Sequence, residues 1–403
     1  MKRKYEGNEA RRTEEKRQCT ASESVLNTWP RLYDKAFPHF KEPAEIGFFS
    51  YDEKRQYQRD RSQLRVFAPP DDRNTCNFDL RKGYSKMIKK DETVQTHLDG
   101  ILHWIMKNKE LLLVTPNKNL DKTEITKKEL FHRHKYDFVC WRGLLTRLLC
   151  VPYENQEDLL VAVIYFRGTY YMCEFDTETK KKQKEKTTPK QEEMCAWGFK
   201  FEQYVTADKT GAVPNAELPV NTNAEFGSIV CSRLANHSLM FGAEVDCEDV
   251  NCKNGNNYVE LKTSRIIESQ RQYENFCRFK LLKWWAQSYV LGIPSIVCGF
   301  RDDNGVVKKL EDYSVSKIPR LVQAALKNPW RPTVCFNFLN EFLQFVKTNV
   351  TETSDRCVYV FKWQPGSPVT YQRHSKDTEF HFLPEWFFNW DAWDTVHEST
   401  ERL

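Results

Sequence analysis

FGAEVDCEDVNCKNGNNYVELKTS, residues 241–264, carries two phrases that sit badly in a buried strand. Glu244-Val245-Asp246 and Glu260-Leu261-Lys262 each place two charged residues around an apolar one. Side chains alternate along a strand, so residues i and i+2 share a face. Glu244 and Asp246 are expected on one face, and so are Glu260 and Lys262. Asn254-Gly255 reads as the turn of a hairpin joining strands 239–247 and 257–263. Paired across that turn, the strands would gather three carboxylates and a lysine in one patch.

A fourth carboxylate arrives from upstream. Thr188, Pro189 and Gln191 form a capping-box signal, and a helix is expected through QEEMCAWGFKFEQY, residues 191–204. Met194, Trp197, Phe201 and Tyr204 read as its buried stripe. Gly198 and Glu202 share the flank, and Gly198 suggests a close approach. Carboxylates held together repel and resist ionisation. A hard divalent cation, Mg²⁺ or Mn²⁺, removes the conflict and takes oxygen ligands. Two such ions about 3.5–4 Å apart clamp an in-line phosphoryl displacement. Lys262 would orient the attacking water or neutralise phosphate charge. Either phrase alone fits an edge strand facing water. Together, flanked by Val, Leu and Tyr, they favour a metal site of the PD-(D/E)xK nuclease pattern. No Gly-rich phosphate loop, Ser/His/Asp set or HExxH motif competes. His132 and His134 read as surface residues, and Cys247 with Cys252 lacks a metal-ligand partner set.

The rest of the chain reads as α+β. Its 403 residues, 40% apolar and 29% charged, suit a globular protein, and length alone suggests two or three domains. The net charge of +5 is too small to choose a partner without local clustering. Thirteen cysteines without a CxxC pair are expected to stay reduced and mostly buried. The first 24 residues are charged, lack a secretory apolar core and read as a disordered tail. No stretch has the length of a membrane span. A nuclear or cytoplasmic, non-secreted protein is expected. A helix is expected from Asp91, with Val94, Leu98, Ile101, Leu102 and Ile105 as its stripe. Residues 158–178 read as a hairpin turning at Arg167-Gly168, and 179–190 as an exposed basic loop. The helix of KLLKWWAQSYVLGIP puts Lys280, Lys283 and Gln287 on one face, suited to a nucleic-acid backbone. Trp284 and Trp285 read as core, and so does Trp141.

Further segments carry a resemblance. EIGFFSYDEKRQY (45–57), NFDLRKGY (77–84), WRGLLTRLL (141–149), GFKFEQY (198–204), VNTNAEF (220–226), AEVDC (243–247), YVELKTS (258–264) and KLLKWWAQSYVLGIPSIVCGFRD (280–302) resemble, in order, segments of the decapping and exoribonuclease family. The resemblance spans residues 40–390. It implies one catalytic domain, 25–395, with tails 1–24 and 396–403. It implies two packed mixed β-sheets with surrounding helices and a site in a deep cleft. It implies metal ligation by Glu202, Glu244, Asp246, Glu260 and the Leu261 carbonyl. Lys262 and Gln287 would contact the reacting phosphate and RNA, with Glu244 also near substrate. Arg142, within Trp141-Arg142-Gly143, would bind substrate phosphate, and Arg55 would contact RNA. Two positions depart from the family: Thr96 replaces a glutamate, and Gly227 replaces a cysteine but keeps a backbone contact available. The activity implied is removal of incomplete or non-canonical caps (unmethylated cap, NAD cap, 5′-triphosphate) from single-stranded RNA ends. Degradation from 5′ to 3′ would follow, in RNA quality control. The rivals are a binding partner that stabilises a larger 5′-3′ exoribonuclease, and a DNA nuclease with the same metal core.

Overall fold

The computed structural model describes residues 24–112, 135–252, 255–352 and 357–389. In chain order the strands are β1 (Ala44–Tyr51), β2 (Tyr57–Gln58), β3 (Val66–Phe67), β4 (Phe78–Asp79), β5 (Phe138–Trp141), β6 (Leu159–Phe166), β7 (Thr169–Phe175) and β8 (Thr206–Ala207). They continue with β9 (Glu225–Leu234), β10 (His237–Glu244), β11 (Cys247–Glu248), β12 (Tyr258–Arg265), β13 (Ser295–Arg301), β14 (Val306–Ser314), β15 (Cys357–Trp363) and β16 (Thr370–Ser375). Nine form one sheet, ordered β16-β15-β6-β7-β5-β10-β9-β1-β2. Seven form the other, ordered β4-β14-β13-β12-β11-β3-β8. Both are mixed: β5 runs parallel to β7 and β10, and β12 parallel to β13, among antiparallel neighbours.

Six helices matter to the site: α1 (Asp99–Lys107), α2 (Arg142–Cys150), α3 (Glu178–Glu185), α4 (Pro189–Val205), α5 (Leu281–Leu291) and α6 (Pro332–Asn349). Strand alternation sorts them into layers. On β9 and β10, Phe226, Val230, Leu239 and Phe241 face one buried cluster, while Ile229 and Met240 face another. The first cluster also takes Ile296 and Phe300 of β13 and the apolar sides of α2, α5 and α6. These three helices therefore share a core with both sheets. Helix α1 covers the other face of the nine-stranded sheet. Helix α4 covers the other face of the seven-stranded sheet, with Trp197 and Phe201 on Leu261 and Val297.

The charged phrases sit where the chain changes sheets, and the expected hairpin forms only in a short version, between β11 and β12. Strand β10 ends at Glu244, with β9 along one edge throughout and β5 along the other from Leu239 to Gly242. Along that length no backbone edge is left for β12 to pair with. The chain crosses through Val245 and Asp246 and enters the second sheet at β11, where Cys247 faces Val259 and Glu248 faces Tyr258. Glu244 and Asp246 thus belong to a strand end and a crossover rather than to one strand face. Val245 fixes the crossing: it is buried, and its N–H donates to the Phe226 carbonyl at 3.1 Å.

Other expectations divide. The β6–β7 hairpin forms, with Arg167 (φ 51°) and Gly168 (φ 81°) both left-handed at its turn. The capping box of Thr188 and Gln191 opens α4. Met194, however, is exposed, and Tyr204 stacks on Phe78 at 4.7 Å. A Cβ at Gly198 would meet nothing, so no protein group approaches it. Helix α1 begins at Asp99, not at Asp91, whose carboxylate instead accepts from the Thr93 N–H and hydroxyl in a local turn. Val94 is consequently exposed. The basic run is helix α3 rather than a loop, with Thr177 as its N-cap. A π-turn, Phe276–Lys280, leads into α5, which ends at Gly292 (φ 71°). Trp284 and Trp285 are buried, as expected. His132, His134 and Asn254 lie outside the described residues.

Gly227 is held by packing. It pairs with Phe49 on β1 and with Glu244 on β10. A Cβ there would come within 2.6 Å of Phe49 Cζ. Gly227→Ala is expected to destabilise the fold by about 1–3 kcal/mol, through overpacking. Chemical denaturation checks this, and adding Phe49→Leu should recover part of the loss.

Candidate active site

The centre of the site is Glu260, in mid-β12 and 1% exposed. Arg142 Nη1 donates to its Oε2 at 3.2 Å. Lys262 Nζ and Gln287 Nε2 both donate to Oε1. Arg142, the first residue of α2, is also buried. Its Nη2 donates to the Glu244 carbonyl at 2.9 Å, and its Nη1 reaches the Gln287 carbonyl at 3.3 Å. One guanidinium thus ties β12, the end of β10 and α5 together. In this structure Arg142 holds the site's frame while also lining the cavity beside it. Across the crossover, Asp246 accepts from the Leu261 N–H at 2.7 Å.

The electrostatics follow from that frame. Burial raises the Glu260 carboxyl, but Lys262 and Arg142 outweigh it and hold it below its usual value. Among the described residues the other three have no cation at ion-pair distance. Burial, then the Asp246 and Glu244 charges, push Glu202 of α4 well up. Burial, then Glu225 and Asp246, push Glu244 up to about 8. Burial, then Glu260, push Asp246 up to about 6. Lys262 loses affinity for its proton through burial and regains more from Glu260 and Asp246. Glu244 itself is exposed to solvent at the end of β10. Its shift therefore reflects a concave, crowded surrounding rather than full enclosure. Four carboxylates face two fixed cations, so the cluster is short of positive charge. Its donors are all oxygen, which fits a hard divalent cation. Among the described residues no three acidic, histidine or cysteine side chains already converge as ligands. Glu260 is turned toward its cationic partners instead.

Glu244 and Gln287 line a cavity of about 470 Å³, with Trp141, Arg142 and Gly143. A second cavity, of about 550 Å³, shares Trp141, Gly143 and Glu174 and holds Thr96, His97 and Lys90. Asp246, Glu260 and Lys262 line neither. Trp141 is fixed by its indole N–H, which donates to the His97 carbonyl at 2.6 Å. A Cβ at Gly143 would meet nothing. Arg55, in a left-handed conformation (φ 65°), lies over Tyr51 and pairs with Glu225 at 2.6 Å. Gly227 joins the site only as the backbone opposite Glu244. Lys283 turns to Glu154 and Glu157, and Lys280 to the Ser264 hydroxyl. Cys247 is buried and Cys252 exposed, so they form no ligand pair.

Sequence reasoning missed Lys90 and Glu225. Lys90 is half-buried in the second cavity; burial and Arg55 lower its proton affinity, while Glu225 and Glu244 raise it. Lys90 lies in no motif, and Glu225 lies in VNTNAEF (220–226) without a spacing that marks it as a site residue; only the tertiary fold brings them beside Glu244.

The model of the RAI1-like PD-(D/E)XK nuclease family matches residues 41–388, and the chain belongs to that family. The decapping and exoribonuclease protein of Xenopus laevis is 41% identical, over 91% of this chain and 90% of its own. That of Homo sapiens is 40% identical, over 90% and 88%. Candida albicans Rai1, solved in complex with pU5-Mn²⁺, superposes with a TM-score of 0.75 at 23% identity, over 92% of this chain and 98% of its own. Scheffersomyces stipitis Rai1, solved with (3′-NADP)⁺ and calcium, gives 0.74 at 22%, over 93% and 98%. The chain is a hydrolase of RNA 5′-end processing, with decapping and exonuclease activity.

Without divalent cations, two substitutions should move stability in opposite directions. Glu260→Ala leaves a buried Arg142 and a half-buried Lys262 without their carboxylate and should cost about 3–5 kcal/mol. Glu244→Gln removes a strained charge. The raised Glu244 carboxyl makes the native state bind more protons than the unfolded one, so stability falls as pH climbs from its ordinary 4.5 toward about 8. Glu244→Gln should therefore melt higher than the parent at pH 8 and equally at pH 4.5. Thermal melting in chelator at both pH values is the check.

Proposed function

We propose that Glu202, Glu244, Asp246, Glu260 and the Leu261 carbonyl hold two divalent cations, Mg²⁺ or Mn²⁺, for hydrolysis of RNA 5′ ends. The observation that carries this reading is that carboxylates from α4, β10, the crossover and β12 lie close enough to act on one another's charge, with Lys262 beside Glu260 and Asp246. Bound cations would supply an activated water and neutralise charge on the phosphate. Manganese in the Candida structure and calcium in the Scheffersomyces structure support divalent binding at this fold.

The chain's own groups do the rest. Lys262 keeps its proton at Nζ and donates it as a hydrogen bond to a phosphate oxygen. Gln287 trades its bond to Glu260 for one to the substrate. Arg142 stays with Glu260 and the Glu244 carbonyl, holding the acidic residues at a fixed spacing. Arg55 and Lys90 supply positive charge on the side of the second cavity. The substrates are single-stranded RNA ends with incomplete or non-canonical caps: unmethylated cap, NAD cap or 5′-triphosphate. The (3′-NADP)⁺ in the Scheffersomyces structure supports the dinucleotide member of that set. Thr96, on the second cavity, ranks these ends rather than enabling the chemistry. The complete acidic set disfavours a purely non-catalytic companion of a larger exoribonuclease. The unbridged, mostly buried thiols fit a nuclear or cytoplasmic setting.

Glu260→Gln should lower turnover at least about 100-fold while RNA binding in chelator changes little, because it weakens cation binding. Parent-like turnover by that variant would remove Glu260 from the mechanism. A site entered by a chain end should also cut linear, 5′-phosphorylated RNA and spare a circle of the same sequence. Rapid loss of the circle, resolved on a denaturing gel, would indicate internal cutting.

A further inference from the structure

We propose that Lys180 and Lys184 of α3 bind backbone phosphates of the RNA, exchanging Glu174 and Asp176 for them. The proposal rests on the RNA reading above and adds a subsite to it. Helix α3 has no buried residue, and its eight residues fall short of what sustains an isolated helix. Ion pairs hold it in place. Lys180 pairs with Asp176 at 3.0 Å and Glu174 at 3.5 Å, and Lys184 pairs with Asp176 at 2.6 Å. On the other flank Lys181 pairs with Glu379 at 3.5 Å.

The helix also lies along the site. Lys180 lines the cavity that holds Glu244 and Gln287, and Lys184 lines the one that holds Thr96 and Lys90. The two cavities meet at Trp141, Gly143 and Glu174, forming one trough. Spacing i, i+4 puts Lys180 and Lys184 on one helix face, so a single side of α3 spans both halves. Lys182 and Lys186 lie on the opposite side and line neither cavity.

The present partners are replaceable. Lys180 and Lys184 keep 44% and 60% of their side chains exposed. Exposed ion pairs contribute little to stability, so giving them up costs little. A phosphate offers the same charge-assisted bond, and neutralising it releases counterions. Asp176 and Glu174 therefore act as placeholders that keep the lysines aimed at the trough. Arg147, 3.6 Å from Glu174, stays to compensate it when Lys180 leaves.

The test measures binding of a 3′-labelled, 5′-phosphorylated oligouridine to the full chain in chelator, across a salt series. Lys180→Gln/Lys184→Gln is compared with Lys182→Gln/Lys186→Gln, which changes net charge equally. The first pair should weaken binding about tenfold and make the log–log salt slope shallower by about 1.4, the value for two single-strand phosphates. The second pair should leave both close to the parent. Asp176→Asn releases Lys184 and leaves Lys180 with Glu174 alone, and should tighten binding about two- to fivefold. A structural role for α3 would instead lower the melting temperature and weaken binding in Asp176→Asn as well. Equal losses from the two lysine pairs, or no gain from Asp176→Asn, overturn the exchange while leaving the RNA reading intact. A parent chain that fails to bind the oligonucleotide overturns both.

Discussion

Arg142 and Glu260 meet 3.2 Å apart, with both side chains nearly sealed from water. Burying two charges is costly, and the cost is recovered only when every remaining polar atom has a partner. Here the partners are found: Lys262 and Gln287 take the other Glu260 oxygen, and the Glu244 and Gln287 carbonyls take the remaining guanidinium reach. The same bonds join two sheets and two helices at one point. The layered core around them, with Trp197 and Phe201 on one side and α2 and α5 on the other, keeps water out and that point rigid.

The rigidity serves an arrangement that would otherwise fly apart. Glu202, Glu244 and Asp246 are crowded together with no cation at ion-pair distance among the described residues, and each holds its proton more tightly than usual. A fold can carry such a strain when it buys something elsewhere. In this family that return is hydrolysis at RNA 5′ ends. Placing the carboxylates on a strand end, a crossover, a strand middle and a helix lets each approach from a different direction. One strand face could offer only a row.

Much of this was legible in the residues. The Glu260-Leu261-Lys262 phrase, the α4 cap, the β6–β7 turn and the stop of α5 rest on local rules of alternation, capping and left-handed glycine, and they formed as read, whereas Glu244 and Asp246 did not share a strand face. What failed depended on partners far away in sequence. The antiparallel pairing expected across residues 247–257 formed only at Cys247 and Glu248, because β9 and β5 flank β10 and the chain changes sheets after it. The stripe from Asp91 looked helical, but Asp91 was used in a turn with Thr93 and the helix began at Asp99. The Arg142–Glu260 pair was not legible, because burial beside Glu260 leaves no mark on the neighbours of Arg142 in the chain. Lys90 and Glu225 were invisible for the same reason.

The most direct test of the account is a crystal of the full chain soaked with Mn²⁺ and a non-hydrolysable, 5′-phosphorylated oligonucleotide, measured for anomalous scattering. The account predicts manganese peaks bounded by Glu244, Asp246 and Glu260, with Arg142 still on Glu260 and Gln287 released toward the nucleotide. Peaks elsewhere on the chain, or a site bound without Glu260, would contradict it.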